Sequence, residues 1–249
     1  MPKIKIFAVA LLSLCTLILS AKDYKASMFG VKSDGTTLNT RSIQKAVDYI
    51  NENGGGRLIF YVGRYLTGSI QLKSNVIIQL EEGAVLVATT SVYDYRDING
   101  TKALISADSQ ENIGITGKGV IDGQGAAVLD NINIQILKGH IKEDVTQVSP
   151  ILIYMNGCDK VTIEQINLWN GCGAIQSYNS CKNININKVS IKSNVTPYKK
   201  GILLTGCDGV KLIDSYFDTS GAELTLVGTS KNVSIVNCIN TNGKKIQAK

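Results

Sequence analysis

A chain of 249 residues with 44% hydrophobic but only 6% aromatic side chains, and with 24 glycines against 3 prolines, has the length for one sizeable core. That balance favours short aliphatic strands and many turns over a helix bundle, and so predicts an all-β chain. The formal charge of +6 is modest, and without clustered Lys/Arg or interleaved aromatic platforms the sequence excludes a nucleic-acid-binding protein.

Residues 1–21 place Lys3 and Lys5 ahead of the apolar run IFAVALLSLCTLILS and end on Ala21 before the polar KDYK, the layout of a secretory signal peptide. At about 15 residues the run is short for a membrane span. The expectation is cleavage, a secreted or periplasmic location, and no stable membrane insertion afterwards; an uncleaved anchor is the alternative. Leu14, where a small residue would precede a lipid-modified cysteine, argues against a lipoprotein at Cys15. Removing the two lysines lowers the formal charge to +4, a mild bias towards acidic polymers. The mature domain is residues 22–249.

Next, Ile43, Ala46, Val47 and Ile50 recur at helical spacing within TRSIQKAVDYINEN and are closed by Gly54. This predicts a short amphipathic helix that caps the first layer of a stacked sheet. The segments GGGRLIFYVGRYLTGSIQL, SNVIIQLEEGAVLVA and ENIGITGKGVIDGQG follow as strand-rich units. A long insertion between Gly125 and Pro150 carries His140, the chain's only histidine, read as a surface loop residue.

From there the chain repeats itself. CDKVTIEQINL from Cys158, CKNININKVSI from Cys181, CDGVKLIDSYF from Cys207 and SKNVSIVNCIN from Ser230 begin 23, 26 and 23 residues apart. A period of that size signals one unit stacked on copies of itself. The alternation at Val161/Ile163, Ile184/Ile186, Val210/Leu212 and Val233/Ile235 is that of strands with one buried face. Short parallel strands stacked in this way form a parallel β-helix, in which equivalent residues make ladders. Cys158, Cys181 and Cys207 are expected as one such ladder of small buried residues. They lack the CxxC pairs of a zinc site; disulfides within the ladder, or with Cys172 or Cys238, are the alternative. After VSIVNCI only NTNGKKIQAK remains, too little for another coil, so the last rung is expected to be poorly covered and the β-helix incomplete at its carboxyl end.

FGVKSDGTTLNTRSIQKAV, GGGRLIFYVGRYLTGSIQLKSNVIIQLEEGAVL and NIGITGKGVIDGQG, in this order and followed by the coil repeat, resemble the amino-terminal part of polygalacturonases. These are pectin-degrading glycoside hydrolases of family 28, within the pectate-lyase-like group. The likeness runs from about Phe29 to Val236. It implies a right-handed single-stranded parallel β-helix with a short N-terminal capping helix. It also implies inverting hydrolysis of α-linked galacturonan by acids in an N-x-D-G motif and in a D-D pair one coil later. That chemistry needs one carboxylic acid to protonate the leaving oxygen and another carboxylate to activate water, roughly 6.5–9.5 Å apart.

Matched residue by residue, the resemblance puts the first motif on Tyr198-Lys199-Lys200-Gly201 and the D-D pair on Gly221-Ala222 in DTSGAEL. Lys200, Gly221 and Ala222 therefore stand where acids are expected. The family's later G-H-G and R-x-K motifs have no counterpart. Asp218 and Glu223 border the same turn and are the weak catalytic candidates. Gln176 and Tyr178 match a W-x-Q-x-Y-like stretch, with Ala174 in place of the tryptophan, and are candidates for substrate contact. Lys199 and Lys200, as cations at the former acid position, would attract the carboxylates of galacturonate.

Three functional classes follow: an exported pectin-type hydrolase, a non-catalytic β-helix that binds acidic polysaccharide such as galacturonan in a plant-type cell wall, and the vestigial product of a truncated hydrolase gene. A calcium-dependent lyase would need clustered carboxylates, which these turns lack. No metal or cofactor is expected.

Overall fold

The computed structural model of the chain describes residues 22–194 and 200–247; residues 1–21, on which the signal-peptide expectation rests, and Lys199 lie outside them. The described strands stack as a right-handed parallel β-helix with three faces. The hand is the one that right-twisted strands joined by parallel crossovers adopt.

Sheet I has eight strands: Asp23–Lys25, Gly56–Phe60, Val76–Leu80, Glu111–Thr116, Asp159–Glu164, Lys182–Asn187, Asp208–Ile213 and Lys231–Val236. Sheet II has seven: Gly63–Thr67, Ala84–Ala88, Val120–Asp122, Asn167–Trp169, Ser190–Ser193, Tyr216–Thr219 and Ile239–Asn240. Sheet III runs through Ile70–Gln71, Thr101–Asp108, Ile151–Asn156, Gln176–Asn179, Ile202–Thr205 and Leu224–Val227, with Asp97–Ile98 paired antiparallel at its edge. From Ile151 onward each coil visits sheets III, I and II in turn.

The predicted alternation builds the core. In sheet I, Ile113, Val161, Ile184, Val210 and Val233 form one column, and Ile115, Ile163, Ile186, Leu212 and Ile235 the next. In sheet II, Leu86, Ile121, Leu168, Ile191 and Phe217 point inward together. Above the last rung each apolar side chain is sealed by its equivalents in adjacent coils, whereas Val233 and Ile235 of that rung are only partly buried, so burial requires the stack.

Corners hold the register. The second residue of each later sheet I strand has positive φ: Asn112, Lys160, Asn183, Gly209 and Asn232. Pairing skips this residue, as between Asp159↔Lys182 and Val161↔Ile184, which makes a stacked bulge. Asparagine and glycine recur there because they adopt the left-handed conformation most readily. Neighbouring coils are also laced by side chains: Asn183 Nδ2 donates to Asp159 Oδ1 at 2.7 Å, and Asn156 Nδ2 to Asp108 Oδ1 at 2.8 Å.

The cysteine ladder forms as expected at the corner between sheets III and I. The Cys158 amide donates to Cys181 Sγ at 3.4 Å, and the Cys207 amide to Ser230 Oγ at 3.2 Å. All five cysteines among the described residues are buried and unpaired, so the disulfide alternative is not realised. Hydrogen bonding to the thiols of Cys158 and Cys207, together with burial, pushes the Cys181 thiol far above its ordinary range and keeps it inert.

Helix α1, Thr40–Glu52, buries Ile43, Ala46, Val47 and Ile50 over the first coil, as the spacing predicts. Gln44 fastens it by exchanging two hydrogen bonds with the backbone of Gln71. At the other end the last rung is poorly covered, as expected: in Lys231–Val236 the inward Val233 and Ile235 are only half-buried and Val236 is exposed. The tail turns back only at the Cys238 corner, where the Ile246 amide donates to the Cys238 carbonyl at 3.0 Å and Ile246 is buried. The insertion is more ordered than a surface loop. It forms helices α2, Gly125–Leu137, and α3, Val145–Val148, with Asp144 Oδ1 capping the latter through the Thr146 amide. Val128 and Ile132 anchor α2.

Phe217 fills the last well-sealed layer. Phe217→Ala is expected to cost about 3–5 kcal/mol, read as a lower denaturation midpoint with the far-UV spectrum of the folded state retained.

Candidate functional site

The corner between sheets II and III carries the residues that the sequence singles out, because this is where the coils differ most. In one coil it is the α2–α3 insertion; later coils pass it between Trp169 and Gln176 and between Thr219 and Leu224, and Lys200 and Gly201 lie there just before Ile202. Backbone hydrogen bonds fix their stacking. The amides of Leu152, Ile175 and Gly201 donate to the carbonyls of Ala174, Lys200 and Ala222, at 3.1, 3.2 and 2.9 Å. Ile151, Ala174, Lys200 and Ala222 therefore succeed one another on one flank, one coil apart, as the matched positions require.

The packing at Gly201 explains the glycine in this turn. A Cβ there would lie 2.4 Å from the Glu223 carbonyl oxygen, so close passage of the two coils excludes any larger residue without a backbone shift. The glycine serves the stack, and the neighbouring Lys200 is free of that constraint.

A cleft of about 200 Å³ opens beside Lys200. Its floor is Ile151, Ala174 and Leu203; its walls are Thr146 and Gln147 of α3 and the turn Gly100–Lys102. A second cleft, of about 600 Å³, shares Gly100, Lys102 and Gln147 with the first and extends to Tyr93, Asp97, His140 and Glu143. His140 Nδ1 lies 3.0 Å from Gln135 Oε1, which also accepts from the Tyr93 hydroxyl at 3.1 Å. The Glu143 carboxyl is held below its ordinary range by its own amide and that of Lys142, with help from the charges of Lys102 and Lys142. It is anionic at neutral pH and cannot serve as a general acid there. Among the described residues, no three His, Cys, Asp or Glu side chains gather as a metal ligand set.

The expected site residues separate. Lys200 is exposed and lines the cleft; Lys199 is not among the described residues. Gln176 and Tyr178 are the correction. Both are fully buried, because Gln176 shares an inward column with Ile153, Ile202 and Leu224, and Tyr178 one with Met155 and Leu204. Burial holds the Tyr178 phenol well above its ordinary range, so it stays protonated and donates to Gln176 Oε1 at 2.5 Å. Gln176 Nε2 is left buried without a partner. The pair is an internal polar contact and cannot touch a surface polymer.

Asp218 and Glu223 also fail to make a catalytic pair. Asp218 lies on sheet II in register with Lys192, 3.5 Å from Asn194 Nδ2. Glu223 aligns with the inward positions of Gly201 and Ile175, and its Oε1 accepts from Asn240 Nδ2 at 2.9 Å. Lys102, Ile151 and Leu203 were not foreseen from the sequence. The only signal for them is register, since Ala103 pairs with Ile151 and Ser177 with Leu203.

A family model for glycosyl hydrolases family 28 matches residues 60–247. The crystal structure of a candidate glycosyl hydrolase from Parabacteroides merdae is 53% identical, superposes with a TM-score of 0.87, and is matched over 91% of this chain and 99% of that one. The family 28 exopolygalacturonase of Yersinia enterocolitica shares the fold at 20% identity and a TM-score of 0.77, over 89% of this chain and 49% of that one. An exo-poly-α-D-galacturonosidase from Dickeya chrysanthemi is 33% identical over 144 residues, which are 49% of this chain and 23% of that relative. The chain spans about half or less of the length of the first curated relatives it matches.

The internal placement of Gln176 and Tyr178 has a measurable consequence. Tyr178→Phe strips the Gln176 side chain of its one buried partner and is expected to cost about 1–3 kcal/mol of stability. Retention on an immobilised polygalacturonate column at a temperature below the transition should not change.

Proposed function

The chain belongs to glycosyl hydrolases family 28, and from that premise we propose that it is an exported protein that holds acidic polysaccharide of the galacturonan type at the Lys200 flank, with little or no hydrolysis. One observation carries this reading. Lys200 and Ala222 stack one coil apart, with Gly221 beside them, and these are the positions that the sequence resemblance matches to the family's acids.

Inverting hydrolysis needs two carboxyl groups across the scissile bond. The described residues of this corner supply none that faces the cleft: Asp218 lies round on sheet II and Glu223 is engaged by Asn240. Loss of a general acid or base typically costs about 10²–10⁴ in rate each, so the loss of both leaves almost no turnover. A lysine in the same place reverses the local field and attracts uronate carboxylates that an aspartate would repel. The apolar floor of Ile151, Ala174 and Leu203 suits the less polar face of a sugar ring, while Lys102 and Lys200 provide charge at the rim. Export rests on the leader-like residues 1–21, and the galacturonan-type substrate on family membership.

Incubating the purified chain with polygalacturonate tests both halves of the reading. Binding without new reducing ends is expected, with affinity reduced at least about tenfold in the Lys102→Ala/Lys200→Ala variant. Binding should also weaken as salt rises from about 0.1 to 1 M and the screening length shrinks from about 10 to 3 Å. Retention unchanged in that variant would refute the cationic rim. Reducing ends that disappear in Glu143→Gln would instead put hydrolysis in the adjoining cleft.

A further inference from the structure

Trp169, the chain's single tryptophan, is the last residue of the strand Asn167–Trp169 and is 38% exposed on the outer face of sheet II. The core does not require an indole here, since the inward position of the same strand is taken by Leu168 in the column of Ile121, Ile191 and Phe217. Among the described residues the ring stacks on no other aromatic side chain and no cation sits over it.

Its in-register neighbours form an ordered outward column: Asp122, Trp169, Lys192, Asp218. The two carboxylates in that column are already engaged. Asp122 Oδ1 accepts from Asn170 Nδ2 at 3.1 Å and from the Gln124 amide at 3.1 Å; Asp218 Oδ1 faces Asn194 Nδ2 at 3.5 Å. Lys192 is exposed and has no ion-pair partner among the described residues. Tyr216, 40% exposed, lies two rungs from Trp169 and two residues back along the strand, about 12 Å away by strand spacing and rise.

We infer that this face is a second saccharide-binding surface, which takes an acidic sugar with its ring on the Trp169 indole and its carboxylate on Lys192, and extends towards Tyr216. An amphipathic aromatic plate suits the C–H face of a pyranose, and the adjacent unpaired ammonium selects a uronate over a neutral sugar. The surface adjoins the Lys200 cleft, because the chain turns the corner from Trp169 to Ala174 within residues 170–175. A polymer leaving that cleft meets the indole next, which joins two weak contacts by effective concentration. Only the choice of an acidic sugar rests on the proposed function.

With one tryptophan in the chain, emission excited selectively at the indole and not at the ten tyrosines reports this face alone. Titration with hexagalacturonate is expected to give a saturable emission shift, absent with a neutral galacto-oligosaccharide. Lys192→Ala should weaken the fluorescence-detected affinity by about threefold or more, the size of one exposed ion pair. Trp169→Ala, with an unchanged far-UV spectrum, should lower affinity for the polymer about fivefold. In Lys102→Ala/Lys200→Ala the shift should persist while retention on the polymer falls. Retention without any shift would overturn the second surface and leave the Lys200 cleft standing. A shift that vanishes together with retention in the double variant would also overturn it, by assigning Trp169 to a single shared site. An equal shift with the neutral sugar would overturn the role of Lys192.

Discussion

Parallel, in-register stacking of coils is the constraint on which the molecule depends. A strand such as Lys182–Asn187 buries one face only because Asp159–Glu164 and Asp208–Ile213 lie on either side of it with the same parity. A slip of one residue would turn Ile184 and Ile186 outward and Asn185 inward. The bulge at Asn183, the cysteine at each corner and the Asn–Asp bonds between coils all penalise that slip. Positions distant in sequence thereby become neighbours on a flank, and the Lys200 cleft and the Trp169 face are both products of that arithmetic.

The same constraint separates fold from chemistry. Gly201 is dictated by the close passage of Glu223, whereas the side chain before it points outward and bears no load in the stack. A coil can thus keep its backbone turn whatever side chain stands beside the glycine. Function in such a solenoid is a property of outward positions at one corner, and it can change sign without disturbing a single core column. What shapes the cleft is the insertion: α2 packs against the turn at Val92 through Asn131, with 3.2 Å from the Val92 amide to Asn131 Oδ1, and α3 supplies the wall opposite Lys200.

Much of this was legible in the sequence. The recurrence from Cys158 to Ser230 gave the coil, its two-residue alternation gave the buried columns, and the spacing of Ile43 to Ile50 gave the cap. Orientation at the corners was not legible. Parity restarts after each turn, and a turn of unknown shape lets Gln176 and Tyr178 read equally well as outward or inward; the register with Ile153 and Met155 decides it. Asp218 and Glu223 look like neighbours at five residues' separation, yet the chain bends between them from sheet II to sheet III. The helices of residues 125–149 were missed because α2 is apolar on more than one side and lacks a side-chain cap, so its pattern resembles a core segment more than a surface helix.

The direct test of the account is a covalent one. If Lys200 and Ala222 occupy equivalent positions in adjacent coils, their Cα atoms are about 5 Å apart, within the range that a disulfide bridges. A chain carrying Lys200→Cys and Ala222→Cys should form that cross-link on mild oxidation, identified by mass spectrometry of linked peptides, while the buried native thiols stay free. Both new thiols remaining free in the folded protein under those conditions would contradict the stacking, and with it the cleft and the proposed binding function built on it.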